Sequence, residues 1–524
     1  DEENLLPAIF FIFSRAGCDQ AVSQVLRRGV TLTDEAERDQ ILDLVEEKLE
    51  RLDDDDRAIV GYHDWLDGVL RGVAAHHAGM LPILKEVIEQ LFRQKLLKVV
   101  FATETLALGI NMPARTVVLE KLEKFNGEAR VPITAGEYTQ LTGRAGRRGI
   151  DPEGHSVILW QPGINPEAVA ALASRRSYPL TSSFSPTYNM AVNLIEQFGP
   201  ERTRTILESS FAQFQADKHV VELARRVRAN DESLAGYEQA FECDRGDFAD
   251  YATLRRELSD LEREGAQRPS RNSRASDNNA EIDRLRKSLR SHSCHSCPDR
   301  EAHARWAARW WKLERETERV RRQIRSRTGA ISIVFDRICE VLVEAGYLTQ
   351  GEKGLELTTH GFTLRRIYGE RDLLVAECLR RQVWSGLDAP ALAAMISCLV
   401  YEPRRDDTPV YPGDLPRGEF ATALDTTRRW HRKLSEIESD HHLSPTGDLS
   451  PQLAMAMHNW ASGHRLERVL DHRDIQAGDF VRWCKQVMDV LDQIITIGEG
   501  PINAVAQDAR ASIFRGIVAL SSVA

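Results

Sequence analysis

Short apolar segments alternate with amphipathic helical segments through the first part of the chain. The apolar segments are Ala8–Phe13, Lys98–Phe101, Val117–Leu119 and Ser156–Trp160. Because this alternation is typical of a parallel sheet covered by helices, the sequence predicts an α/β domain at its start. Ligands of open parallel sheets bind beyond the carboxyl ends of the strands. We therefore expect a site in the loops that follow Phe101 and surround Gly143.

Two of these loops carry residues suited to phosphate groups. The segment Gln140–Gly149 spaces glycines among arginines, which places cations on closely approachable backbone, as a polyphosphate requires. Thr103, Thr105 and Gly109 follow the strand that ends at Phe101. Small hydroxyl side chains and a glycine let a nucleic-acid strand lie close to a loop or a helix start. We interpret the two loops as one site.

The same two loops resemble motifs V and VI of superfamily 2 helicases. Three further segments add to this resemblance, namely Gly72–Met80, Gly136–Gln140 and Ser183–Met190. Together they resemble the exosome-associated DExH-box RNA helicases of the superkiller type, and within them the actinobacterial HelY-like branch. The resemblance implies an α/β RecA-like motor domain with a parallel sheet, followed by mostly α-helical winged-helix, stalk and helical-bundle domains.

The resemblance also implies a role for each matched residue. Guanidinium groups stabilise the charge that spreads over the γ-phosphoryl oxygens during hydrolysis of a nucleoside triphosphate. Arg147, with Arg144 beside it, is the expected arginine finger, and Gln140 couples the nucleotide to the domain interface. The residues expected to contact the nucleotide are Gly109, Asn111 and Gly143. Those expected to contact nucleic acid are His77, Gly79, Thr103, Thr105 and Arg482, the last on a helix similar to the family's ratchet helix.

The resemblance and the helical periodicity together predict five segments. They are a second RecA-like domain with motifs IV to VI over residues 1–183, a first winged-helix part over 184–214, an inserted arch-like stalk with a flexible tip over 215–329, a second winged-helix part over 330–386, and a helical bundle with the ratchet helix over 387–524. In the stalk we expect one helix over Val220–Arg263 and a flexible polar connection over Glu262–Arg290. A second helix carries Trp310 and Trp311, which we expect in the core.

The sequence contains no Gly-x-x-x-x-Gly-Lys-[Ser/Thr] loop that would hold the β and γ phosphates and Mg²⁺. Asp34–Glu37 imitates a metal-binding acidic box, but it lies in the wrong order for the family. We therefore expect the C-terminal part of an ATP-dependent 3′ to 5′ RNA helicase. We expect it to bind single-stranded RNA, to be inactive in ATP hydrolysis alone, and to rely on an upstream domain for most contacts with ATP and Mg²⁺.

Two other functions stay open at this point. A DNA-directed repair helicase uses the same motor, and the choice between RNA and DNA depends on contacts with the 2′-hydroxyl. A non-catalytic scaffold would instead use the stalk as a docking arm. Intact Gln140, Arg144 and Arg147 argue against a decayed motor. In either helicase, the stalk is the expected contact for a nuclease or an RNA-degradation complex.

Composition agrees with this interpretation. The chain has 524 residues, room for several domains that each bury a core. Its formal net charge of −10 is a weak objection to nucleic-acid binding, because a nucleic-acid channel needs only a local positive lining.

No apolar run approaches the length of about 20 residues that spans a bilayer, so we expect no membrane partner. Asp1 is read as a processed or engineered boundary, and eight scattered cysteines suggest reduced thiols in the cytoplasm.

The segment His292–Cys297 contains a Cys-x-x-Cys pair with flanking histidines. Closed structural zinc sites need four converging ligands, commonly from two separated pairs. Because the sequence has no second Cys-x-x-Cys pair, it predicts no metal site.

Overall fold

The computed structural model divides the chain into two compact units. The first unit comprises Asp1–Leu180, Thr187–Gln197 and Arg337–Ala524, and the second comprises Thr181–Pro186 and Phe198–Asp336. The structure describes residues 4–107, 112–125, 129–147, 149–162, 164–174, 180, 182–267, 274–327, 330–352, 354–403, 407, 409–470, 475–498 and 500–521. The predicted boundaries of the five segments stay predictions.

A five-stranded parallel sheet forms the centre of the N-terminal region, in the strand order β2-β3-β1-β4-β7. Two antiparallel hairpins, β5-β6 and β8-β9, accompany it. The strands are β1 (Ala8–Phe11), β2 (Val73–His76), β3 (Val99–Ala102), β4 (Thr116–Leu119), β5 (Glu123–Phe125), β6 (Arg130–Pro132), β7 (His155–Ile158), β8 (Leu348–Gly351) and β9 (Gly354–Leu357). The predicted α/β class with a parallel sheet is confirmed.

The parallel strands end level with one another. Phe11 pairs with Ala102 on one side and with Leu119 on the other, and His76 pairs with Ala102. Leu119 in turn pairs with Ile158. The loops that follow the strands therefore leave the sheet along one edge, where parallel sheets bind their ligands.

The described part of this region also contains seven helices, several of which pack on the sheet. They are α1 (Arg15–Arg27), α2 (Glu35–Leu49), α3 (Asp54–Ile59), α4 (Tyr62–Leu70), α5 (Pro82–Arg93), α6 (Ala135–Thr142) and α7 (Pro166–Ser174). Helix α5 begins with proline at its first position, where the missing N–H costs nothing, and buries Leu84, Val87 and Leu91 on one face. Asp34 caps α2 and exchanges hydrogen bonds with Glu37. The acidic box is therefore a helix start.

Five helices follow, and the last four belong wholly to the second unit. They are α8 (Tyr188–Glu208), α9 (Phe211–Ala240), α10 (Phe248–Gln267), α11 (Arg274–Ser291) and α12 (Arg300–Arg327). The single helix predicted over Val220–Arg263 is wrong, because a turn containing Gly246 at φ +155° separates α9 from α10. The flexible connection expected over Glu262–Arg290 is also wrong in its second half, because the chain forms helix α11 there. Trp306 and Trp310 pack against a buried cluster around Phe248 and Leu289.

The remaining helices belong to the first unit, apart from the first half of α13, which lies in the second. They are α13 (Ala330–Glu344), α14 (Thr359–Leu364), α15 (Asp372–Arg380), α16 (Ala389–Val400), α17 (Glu419–Asp440), α18 (Ala454–Ala461), α19 (Leu466–Leu470), α20 (Ala477–Ile497), α21 (Ile502–Ile513) and α22 (Gly516–Leu520). Helix α16 is apolar on all sides and is buried from Ala391 to Leu399, as the central helix of a bundle must be. Among the described residues, no helix combines the length and the apolar character that a membrane crossing requires.

The start of α8 is fixed inside the first unit by buried polar contacts. The Asn189 backbone N–H donates to Asp372 Oδ2 at 2.8 Å, and its side-chain amide donates to the carbonyls of Leu364 and Arg365. The Tyr188 hydroxyl donates to Glu438 Oε1 at 2.9 Å. The Ser183–Met190 segment, part of the resemblance, thus contains residues whose role in this structure is to join distant parts of one unit.

Candidate nucleotide and nucleic-acid interface

Backbone hydrogen bonds join the loop after β3 to the loop after α6. The Ala114 N–H donates to the Arg144 carbonyl at 2.9 Å, and the Gly146 N–H donates back to the Ala114 carbonyl at 2.8 Å. The Arg144 guanidinium also donates to the carbonyl of Ala107. The structure therefore brings together the two loops that the sequence analysis treats as one site. Gly109 and Asn111 lie outside the described residues.

A close approach of two glycines shapes the turn that carries Arg147. Gly146 has φ +87°, a conformation that favours glycine, and a Cβ on it would lie 3.2 Å from the Gly154 Cα. A Cβ on Gly154 would lie only 2.5 Å from the Gly146 nitrogen. Neither position has room for a side chain, so the backbone fixes where Arg147 leaves the turn.

Arg147 is held by Asp151. The guanidinium Nε and Nη2 donate to the two carboxylate oxygens at 2.7 and 2.6 Å, and the Arg147 N–H donates to Asp151 Oδ2 at 2.9 Å. The Asp151 side chain is only 2% exposed and that of Arg147 12%. The hydrogen bonds from Arg147 lower the pKa of Asp151 to about 2. This two-point contact fixes the plane of the guanidinium.

Helix α6 presents Gln140 and ends at Gly143. Thr134 caps the helix and shares a capping box with Glu137. Gln140 and Gly143 are both exposed.

Lys124, on the hairpin strand β5, donates to Glu137 at 2.7 Å and to Glu104, in the loop after β3, at 2.8 Å. Although partial burial opposes the shift, hydrogen bonds to both carboxylates raise the pKa of Lys124. Lys124 therefore links the loop after β3 to the start of α6.

Hydroxyl groups lie at the end of β3. The Thr103 and Thr105 hydroxyls are 3.0 Å apart, Thr105 is exposed, and the Thr103 N–H donates to the His76 carbonyl at 3.3 Å. These two hydroxyls have the chemistry of a phosphate contact.

His77 and Gly79 are buried in this structure. His77 Nε2 lies 3.0 Å from Asp19 Oδ1, and the Gly79 N–H donates to His77 Nδ1 at 3.2 Å, which fits the neutral tautomer with its proton on Nε2. Only 3% of His77 is exposed. The imidazole therefore shapes the loop after β2. Direct contact of His77 or Gly79 with nucleic acid stays a prediction.

The loop that contains Gly79 packs against the start of α20. The Gly478 N–H donates to the Gly79 carbonyl at 3.0 Å, and a Cβ on Gly478 would lie 2.1 Å from the Met80 carbonyl oxygen. Arg15, which follows β1, donates to Asp479 at 2.5 Å, and Asp479 is 1% exposed. Since a buried carboxylate needs a partner, this ion pair and the glycine contact hold α20 on the sheet region. We call this contact the sheet–helix junction.

Arg482 lies one turn beyond this junction. Its side chain is 50% exposed, with one nitrogen 3.6 Å from Asp479. Its guanidinium lies 4.4 Å from the centre of the Trp483 ring, and Trp483 itself is buried. The aromatic face and the carboxylate orient a cation at the surface of α20.

Comparisons with known proteins agree with this arrangement. The profile of the helicase conserved C-terminal domain matches residues 24–149, and that of the DSHCT (NUC185) domain matches residues 354–521. A probable helicase HelY of Mycobacterium tuberculosis is 37% identical over 638 aligned positions, which cover 100% of this chain and 70% of the relative. This chain belongs to the HelY-type superfamily 2 helicases. The predicted resemblance is confirmed.

Other relatives of this helicase family match part of the chain. The exosome RNA helicase MTR4 of Homo sapiens is 39% identical over 233 residues, 44% of this chain and 22% of the relative. The DExH-box ATP-dependent RNA helicase DExH9 of Arabidopsis thaliana is 37% identical over 228 residues, 43% of this chain and 23% of the relative. The HelY alignment is longer than the 524 residues of this chain, so the HelY relative has residues with no counterpart here.

Sequence reasoning on this helicase missed Arg15, Asp151, Gly478 and Asp479. Arg15 follows β1 directly, and its place at the carboxyl end of a strand was a usable signal. Asp151 stands four residues after Arg147, within reach of a turn. No local pattern marks Gly478 or Asp479, because their partners lie hundreds of residues away.

We predict that Gly478→Ala weakens the sheet–helix junction. The added methyl group has no room beside Met80, and such overpacking costs about 1 to 3 kcal/mol in the free energy of unfolding. Gly236→Ala is the matched control, since no atom lies within 4 Å of the Cβ position in α9 and alanine favours helix. Urea denaturation measures both, and hydrogen exchange of the Gly79 loop locates the change. Wild-type stability and protection in Gly478→Ala would contradict the prediction.

We also predict that Asp151→Ala destabilises the chain by about 1.5 to 3 kcal/mol, the range for hydrogen bonds to charged groups. Since the pKa of Asp151 falls from 3.8 to about 2, its contribution is complete above pH 3.8 and is lost as the pH falls toward 2. Asp67→Ala is the control, because the Asp67 and Arg71 pair has the same spacing but is only half-buried. Denaturation at neutral and acidic pH tests this. Equal losses in the two variants would refute it.

Proposed function

We propose that this chain is the C-terminal part of an ATP-dependent RNA helicase that moves 3′ to 5′, and that it supplies the second motor domain. The observation that carries the proposal is the joining of the Thr103 loop to the Arg144 and Arg147 turn at one edge of the parallel sheet. Hydroxyls suited to a nucleic-acid backbone thus adjoin guanidiniums suited to a triphosphate. The polarity rests on the family resemblance alone.

In this proposal Arg147 is the arginine finger and Arg144 assists it. Asp151 engages Nε and Nη2 of Arg147, and among the described residues Nη1 has no hydrogen-bond acceptor. A guanidinium that is already oriented loses little freedom when charge develops on a γ-phosphoryl group. Exposed Gln140 and Gly143, with Gly109 and Asn111, complete the nucleotide contacts. An upstream domain would hold ATP and its Mg²⁺ for the most part.

We assign the nucleic-acid path to the carboxyl edge of the sheet and the start of α20. Thr103 and Thr105 offer exposed or partly exposed hydroxyls, and Arg482 offers an exposed cation. The loop of His77 and Gly79 touches α20 directly, so a strand that binds this loop is sensed by the helix that carries Arg482. Single-stranded RNA is the proposed ligand, in keeping with the RNA helicase relatives.

The partners follow from the same proposal. Relatives named as exosome RNA helicases support an RNA-degradation complex as a partner, with the stalk helices as the contact. All eight cysteines lie among the described residues and are free thiols, which supports a cytoplasmic setting.

We predict that Arg147→Ala lowers RNA-stimulated ATP hydrolysis by the full-length protein about 10³-fold to 10⁵-fold, the effect of losing an arginine finger. Arg228→Ala, on an exposed face of α9, is the matched control and should leave the rate unchanged. Hydrolysis is measured with single-stranded RNA, single-stranded DNA and no nucleic acid.

Each outcome of this assay has a defined meaning. Stimulation by DNA in place of RNA would replace the RNA helicase with the DNA repair helicase. No hydrolysis by the full-length wild type, with a folded protein that still binds RNA, would favour the docking scaffold. Hydrolysis unaffected by Arg147→Ala would remove the finger assignment.

We predict that Arg482→Ala weakens binding of single-stranded RNA. If the guanidinium neutralises one phosphate, the slope of log affinity against log salt concentration becomes shallower by about 0.7. Arg417→Ala removes another exposed arginine of the same unit and serves as the control. Fluorescence anisotropy over a salt series measures both. Unchanged affinity for Arg482→Ala would exclude Arg482 from the path.

A further inference from the structure

Three cysteines and a histidine converge where the stalk helices meet. Cys243 follows the end of α9, Cys294 and Cys297 lie in the short turn between α11 and α12, and His303 lies in the first turns of α12. The Cys243 and Cys297 sulfurs lie within 4.8 Å of each other, and Cys243 packs against the buried cluster that contains Cys294. All four residues belong to the second unit.

The distances between the ligand atoms suit a metal ion. The Cys243 and Cys297 sulfurs and a His303 ring nitrogen all lie within 4.8 Å of one another, and Cys297 Sγ is 3.9 Å from His303 Nδ1. Bonds of about 2.3 Å from zinc to sulfur and about 2.0 Å to nitrogen place ligand atoms of a tetrahedral site about 3.6 to 3.8 Å apart. For these three ligand atoms, an approach of about 1 Å would therefore reach the spacing of a tetrahedral site. Cys294 lies outside this group of three and would have to turn its thiol toward it.

The backbone around two of the cysteines favours bound thiolates. The Arg245 N–H donates to the Cys243 sulfur, and the Asp299 N–H donates to the Cys297 sulfur, in each case from two residues later in the chain. Since the thiolate is the form that ligates metals, these N–H groups support a ligand role.

The neighbouring histidines have other partners. His292 Nδ1 accepts a hydrogen bond from the Cys294 N–H, and His292 Nε2 lies 3.6 Å from Asp250. His295 Nδ1 is bonded to the Tyr251 hydroxyl at 3.2 Å. The His303 ring instead packs edge-on against Phe248, with centres 5.0 Å apart, and keeps its Nδ1 beside Cys297. His303 is therefore the imidazole that faces the sulfurs.

We propose that Cys243, Cys294, Cys297 and His303 bind one zinc ion in a closed structural site. Three thiolates and one imidazole are a frequent zinc ligand set, and a borderline-soft ion with no redox chemistry suits them. Cys294 is fully buried and belongs to the apolar cluster with Phe248, Tyr251 and Leu289, which would shield the ion from water. The sequence expectation of no metal considered only the Cys-x-x-Cys pair, and Cys243 lies far upstream of that pair.

The site would join chain segments that the sequence separates widely. It ties the end of α9 to the turn before α12, so metal binding contributes to folding of this part of the stalk. The inference is independent of the helicase proposal, since it concerns only residues of the second unit and is tested by metal content.

The test is the zinc content of the purified chain, expressed with added zinc and kept reduced. Plasma mass spectrometry should find about one zinc per chain, which a thiol-blocking reagent releases. Cys243→Ser and Cys297→Ser should each lower the zinc content severalfold. Cys398→Ala is the matched control, since Cys398 is a buried cysteine in α16, and it should keep its zinc.

A second measurement covers variants that fail to fold. Wild-type chain that has been stripped of metal and reduced is titrated with Co²⁺, which should give the visible bands of tetrahedral thiolate-bound cobalt, and His303→Asn should change those bands. Less than about a tenth of a zinc per reduced chain with no cobalt spectrum would overturn the proposal. Unchanged zinc content in both serine variants would overturn it equally.

Discussion

In-register pairing of five parallel strands is the constraint on which the functional arrangement depends. The five strands end level with one another, at His76, Ala102, Phe11, Leu119 and Ile158. The segments that follow the strands therefore leave along one edge of the sheet. Arg15, His77 and Thr103 each stand shortly after a strand end for this reason. A slip of one residue in any strand would turn its side chains to the opposite face and scatter these groups.

Charge at this edge is paired before any ligand binds. Arg147 contacts Asp151, Lys124 contacts Glu104 and Glu137, and Arg15 contacts Asp479. Such pairs hold cations in fixed positions, which is the arrangement that stabilises charge developing in a reaction without reorganisation. These pairs also explain how a chain with a net charge of −10 can have a site suited to an anionic ligand. The pairs hold the cations of the site in place locally, whatever the charge of the rest of the chain.

Local pattern predicted much of this structure, and its failures share one cause. The parallel sheet and the joined loops of motifs V and VI follow from strand periodicity and loop chemistry, which short segments encode. The break after α9, the extra helix α11 and the grouping of Cys243 with Cys297 depend on packing between distant segments. The sheet–helix junction is the extreme case, since Gly79 and Gly478 contact each other across most of the chain. No short window of sequence contains both.

The junction has a consequence for how relatives of this protein vary. Backbone meets backbone at Gly478, where a Cβ would lie 2.1 Å from the Met80 carbonyl oxygen, so this position accepts no methyl group while the Gly79 loop keeps its place. Position 79 is less restricted, because a Cβ on Gly79 would meet the side-chain amide of Gln476, which can turn away. A relative that preserves the contact is therefore limited to glycine at the position of Gly478, whereas a relative with a larger residue there has moved the loop or α20. One letter of an alignment thus separates relatives that keep this contact from those that have changed it.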